Sequence, residues 1–267
     1  MARWRLPQSG SDCNGCEPGA PPAPRPFLLM STDRIVYALA AASANLIGAL
    51  AVTSRARWSV RALDGMLAFA AGFMIAVGLL DLLPQALLRG GETAAMVALG
   101  GYVAVHITQH VIGTHFHFGE ETHHVSEAVS VAALVGLLLH TFVDGVAVAS
   151  GLDVGGAVGA LVFIAVILHK VPEGLAISSL FLAAGQGRRR ALLAAAALGA
   201  ATIAGVVFTD HVAALREHGL ALAAGVTLYV GMSNLVPEFR ARGGWHLPLA
   251  FLGGTGTYFL ARTLAGA

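Results

Sequence analysis

Long apolar runs broken by short polar stretches set the reading of this chain. They cover about residues 27–53 (or 34–53), 63–83, 93–112, 125–150, 155–184, 191–209, 220–236 and 247–264. A hydrocarbon core takes roughly 20 helical residues to cross, and each run is about that long. The pattern predicts an all-α polytopic membrane protein with eight transmembrane helices. Pro84 is expected to end the second helix, with a brief turn over 89–92. Gly185-Gln186-Gly187 and Arg188-Arg189-Arg190 are expected to form the loop between helices 5 and 6.

Composition agrees. The chain is 56% hydrophobic and only 12% charged, about half the charge of a soluble domain. Mean hydropathy is +0.73. A net charge of +1 without a basic face gives no reason to expect nucleic acid. Residues 1–26, with Pro18, Pro21, Pro22, Pro24 and Pro26, read as a disordered N-terminal tail without the apolar core of a signal peptide. Residues 27–267 read as one transmembrane domain. Cys13 and Cys16 in the tail are a redox pair, half a metal site, or without an essential role.

Charge chooses the side. Arg55, Arg57, Arg61, Arg188, Arg189, Arg190, Arg240 and Arg242 fall in loops 1–2, 5–6 and 7–8, against Arg89 and Arg216 in the opposite short loops. The positive-inside rule puts the first set in the cytoplasm and both termini outside, in a multi-pass protein of the cell membrane. Residues 70–85 (AAGFMIAVGLLDLLPQ) and 223–238 (AAGVTLYVGMSNLVPE) agree at seven of sixteen positions. With helix 2 running outward and helix 7 inward, this is an inverted repeat of helices 1–3 and 6–8 around central helices 4 and 5.

The central helices carry the chemistry. His140-Thr141-Phe142-Val143-Asp144-Gly145 and His169-Lys170-Val171-Pro172-Glu173-Gly174 each set a histidine four residues before a carboxylate. That spacing puts both groups on one helix face. Ionisable groups in apolar helices mark ion pathways. Two imidazoles and two carboxylates suit zinc, iron or manganese rather than calcium, and four donors suffice for tetrahedral zinc. Without metal, Asp144 and Glu173 are expected to hold protons. Lys170 is expected to pair with Asp144, Glu173 or Asp81, where a second metal would otherwise sit.

Accessory groups follow. Met74 and Asp81 on helix 2 and Asn234 and Glu238 on helix 7 are pathway candidates. His106, His110, His115, His117, His123 and His124 gather at the end of helix 3 and in the loop over 113–124, a dense donor set for cytosolic metal capture.

HTFVDG and HKVPEG in successive helices resemble the helix 4 and 5 signatures of the ZIP family of zinc and iron transporters. The AAG…LLP and AAG…LVPE stretches are similar to its helices 2 and 7. The resemblance covers about residues 34–264. It implies passage of Zn²⁺, in some members Fe²⁺, Mn²⁺ or Cd²⁺, toward the cytoplasm without ATP, the metal being bound substrate and not a catalytic cofactor. It implies His140, Asp144, His169 and Glu173 as transport ligands. Three positions depart: Thr141 where the family usually has Asn, Lys170 where many members have an acid or Gln, and Thr202 where a two-metal member offers a carboxylate. The competing functions are an intramembrane zinc hydrolase, which lacks an HExxH motif here, and a non-transporting metal sensor. The partners expected are divalent ions and the lipid bilayer. A homodimer stays open, since a small-residue face serves either a dimer or the bundle itself.

Overall fold

The computed structural model describes residues 32–54, 60–109, 127–237 and 244–266. These form α1 (Thr32–Thr53), α2 (Val60–Val77), α3 (Leu83–Ile107), α4 (Glu127–Val154), α5 (Gly156–Ala183), α6 (Gly187–His211), α7 (Ala213–Tyr229) and α8 (His246–Ala265). Two π-helical turns, Gly78–Leu82 and Val230–Leu235, follow α2 and α7. The architecture is all-α and polytopic. Among the described residues, five helical stretches are long and apolar enough to cross a membrane: Arg34–Thr53, Asp64–Ile107, Ser130–Val154, Gly156–Ala183 and Gly187–His211.

Several boundaries differ from the sequence expectation. Pro84 does not end the second helix. The amide of Leu83 donates five residues back to the carbonyl of Gly78, and this widened turn lets a proline sit in the first turn of α3, where its missing donor is not needed. The break comes instead at Gly91, whose φ of 52° is open to glycine. As a straight helix, the 44 residues of Asp64–Ile107 would be roughly 66 Å long, more than twice a hydrocarbon core. The break at Gly91 divides that length. The arginines at 188–190 lie inside α6 rather than in a loop, and α7 begins at Ala213, after the single non-helical residue Val212.

Polar contacts fix which helix ends share a side. Arg34, at the start of α1, pairs with Asp153 at the end of α4 and Asp210 at the end of α6. Arg89 donates to the carbonyl of Asp153 at 3.3 Å. At the other end, Arg190 pairs with Glu127 at 2.7 Å and Gln186 donates to Ser130. So α1 runs against both α4 and α6, and α4 runs against α5.

The repeat is visible in three dimensions. The second π turn copies the first: the amide of Val236 donates to Gly231, just before Pro237. Packing follows the same exchange of halves. The main neighbour of α1 is α5 and that of α6 is α4, while α2 packs on α8 and α7 on α3.

Glycines set how close the helices that bear on the site can come. A Cβ at Gly174 would fall 2.0 Å from the carbonyl oxygen of Asn45, and one at Gly48 2.1 Å from that of Val171. The pair between α4 and α6 is alike, with Gly145 at 2.1 Å from Thr202 O and Gly205 at 1.9 Å from Phe142 O. Small residues at such crossings let backbones touch. Gly205→Val should therefore force α6 off α4 at a cost of more than about 3 kcal/mol. Loss of the monodisperse peak in size-exclusion chromatography would register it; an unchanged peak and melting temperature would contradict this packing.

Candidate metal centre

Helix periodicity puts His140 over Asp144 on α4, and His169 over Glu173 on α5. α4 and α5 pack on each other, and the two faces meet. One ligand atom from each of the four residues lies within 4.8 Å of the others, and all four residues are buried. Asp144 Oδ2 is the hub: His140 Nε2 is 3.3 Å from it and His169 Nε2 3.2 Å. Neighbouring donors on a tetrahedral zinc, with bonds of about 2.0–2.1 Å, stand roughly 3.3 Å apart. These two distances match that spacing, while the four ligand atoms together spread over as much as 4.8 Å.

The imidazole of His169 is set for this task. Its Nδ1 donates to the carbonyl of Ala165 at 2.8 Å. That bond holds the ring with Nε2 toward Asp144 Oδ2, 3.2 Å away. His140 Nδ1 has no hydrogen-bond partner among the described residues, and the two rings lie 5.5 Å apart between centroids.

A lysine completes the centre. Lys170 is wholly buried. Its Nζ lies 2.6 Å from Asp144 Oδ2 and 2.7 Å from Glu173 Oε2, and donates to Thr141 Oγ1 at 3.2 Å. Thr141 in turn donates to Glu173 Oε1 at 2.7 Å. Two of the three pairings expected for Lys170 are present. Both acids thus lie within ion-pair distance of the Lys170 ammonium. One positive charge stands against two carboxylates, so the set remains electron-rich.

Residues 117–260, more than half of the chain, match the family model described as ZIP Zinc transporter. The chain belongs to the ZIP family. It is 27% identical over 161 residues to zinc transporter ZIP9-A of Xenopus laevis, covering 55% of this chain and 53% of that protein. It is 27% identical over 169 residues to zinc transporter ZIP9 of Micropogonias undulatus, covering 58% and 54%. It is 31% identical over 134 residues to zinc transporter ZIP9 of Macaca fascicularis, covering 46% and 57%. The chain spans about half the length of these curated relatives.

Met74, Asp81, Asn234, Thr202 and His106 of this ZIP protein each have their own surroundings. Met74 is buried in the apolar core with Phe73 and Val77. Asp81, in the first π turn, is buried beside the Tyr258 hydroxyl of α8, to which Arg262 donates at 3.0 Å. Asn234 is half-buried in the second π turn. Thr202 is buried on α6 and donates to its own helix at Leu198 O, 3.3 Å away. His106 is exposed on α3 with its ring 5.7 Å from that of Tyr229. His110, His115, His117, His123, His124, Glu238, Cys13 and Cys16 lie outside the described residues. Sequence reasoning passed over Asn45, a fully buried amide on α1 that no motif marks.

Proposed function

We propose that this chain carries divalent transition-metal ions, Zn²⁺ foremost, across a cell membrane toward the cytoplasm. His140, Asp144, His169 and Glu173 are the ligands that receive the ion. The observation carrying this reading is the convergence of four buried ligand atoms within 4.8 Å. An ion leaving water needs its lost hydration replaced, and two imidazoles with two carboxylates do so for zinc. The relatives named as zinc transporters support the same cargo and speak against a hydrolase. Fe²⁺, Mn²⁺ and Cd²⁺ are secondary cargoes by the same donor chemistry.

The antiparallel halves, and the arginines at 55, 57, 61, 188–190, 240 and 242, support eight spans with both termini outside. Residues 27–267 then form the transport domain, residues 1–26 a tail, and the histidines of 106–124 a cytosolic capture site. Lys170 serves as a tethered counter-ion. It occupies the place of a second metal, so one ion is carried per passage.

Reconstitution tests this directly. Liposomes holding an internal zinc dye and the purified chain are expected to brighten on external Zn²⁺ without ATP. A signal equal to that of empty liposomes, with zinc binding intact, would favour the sensor reading instead.

A further inference from the structure

Asn45 is the least explained polar residue in the bundle. Its side chain is fully buried, and neither Oδ1 nor Nδ2 has a hydrogen-bond partner among the described residues. Native interiors rarely leave such an amide idle. Its position bears on the site. The backbone of Asn45 is the surface on which Gly174 rests, and Gly174 directly follows Glu173.

The repeat gives Asn45 a counterpart. Gly145 follows Asp144 and rests in the same way on Thr202 of α6. Asn45 precedes Gly48 by three residues, as Thr202 precedes Gly205. Each acid–glycine step of the centre therefore has one polar side chain on the helix behind it. The Thr202 hydroxyl is satisfied within its own helix. The Asn45 amide is not. Both oxygens of Glu173 are already met, one by Thr141 and one by Lys170, so the amide is not needed to support that carboxylate.

We infer that Asn45 is a further ligand for the transported ion, a neutral amide oxygen offered from α1 on the Glu173 side. This rests on the four-residue centre being the ion's site. A neutral donor extends the shell without adding negative charge to a buried set that already carries two acids. An amide oxygen is also harder than an imidazole nitrogen, so it weights the site toward Mn²⁺ and away from Cd²⁺.

The test titrates the purified full chain with Mn²⁺, Zn²⁺ and Cd²⁺, each alone, by calorimetry. Asn45→Leu is expected to lose about tenfold in Mn²⁺ affinity, less for Zn²⁺ and least for Cd²⁺. Asn45→Asp is expected to bind all three more tightly than the parent. Metal-free Asn45→Leu should melt no lower than the parent, because it removes an amide without partners. An unchanged ratio of Mn²⁺ to Cd²⁺ affinity in Asn45→Leu, with Asn45→Asp no tighter, overturns the inference. So does a lower melting temperature with that ratio unchanged, which assigns Asn45 to packing. Should Asn45→Leu not fold, the Asn45→Asp titration decides alone. His169→Ala runs alongside: if it too binds all three ions like the parent, the centre itself is not the ion's site and this inference falls with it.

Discussion

His169→Ala is expected to abolish zinc flux into liposomes and to weaken zinc binding by at least about 100-fold. The substitution removes a proposed ligand whose orientation the protein has already set, since the Nδ1 bond to Ala165 O holds the ring with Nε2 toward Asp144. Losing one of four donors leaves a shell that water must complete in an apolar interior, where water is costly to bring. Glu173→Ala is expected to act the same way, with the added effect of freeing Thr141 and Lys170 from a partner. The control is His211→Ala. That ring also bonds the carbonyl four residues back, Val207 O at 2.8 Å, but it is exposed at the end of α6. Flux through His211→Ala should match the parent. Normal flux through His169→Ala would remove the central site from the pathway.

Lys170→Met has the second large effect, and its sign depends on the metal. Without the ammonium, Asp144 and Glu173 are two buried carboxylates that have lost their shared lysine partner. Breaking a buried pair by removing one partner costs about 3–5 kcal/mol, so the metal-free variant should melt well below the parent. Zinc should reverse this. In the parent an entering ion must displace the ammonium from Asp144 and Glu173, whereas in Lys170→Met it meets open acids. The zinc-induced rise in melting temperature is therefore expected to be larger in the variant. Calorimetry would also show whether a second ion now binds. Equal metal-free stability and an equal zinc response would mean that Lys170 neither balances the acids nor competes with the cargo.

The centre was legible in the sequence because its logic is local. A histidine and an acid four apart share a helix face wherever the helix goes, and two such blocks in adjacent apolar runs have few other reasons to exist. The repeat of residues 70–85 and 223–238 was legible too, because its glycines and prolines are retained. What escaped depended on hydrogen-bond register or on partners far along the chain. Pro84 reads as a helix end, and only the five-residue bond from Leu83 to Gly78 shows why the helix passes through it. Asn45 escaped for another reason. Residues 41–50 and 198–207 share only Ala44/Ala201 and Gly48/Gly205 at this register, too little to pair α1 with α6. Thr202 stood out by its family position, and only the shared glycine contacts reveal Asn45 as its counterpart.

The crossings at Gly174 and Gly205 carry a mechanical consequence. They clasp α5 to α1 and α4 to α6, backbone on backbone. Each imidazole–acid arm is thus riveted to a different outer strut. Any sliding of one clasped couple past the other must shear the centre along its midline, with two donors leaving on each side. Under the proposed function, an ion held by all four donors with the couples in register would keep only two of them once the couples slid apart.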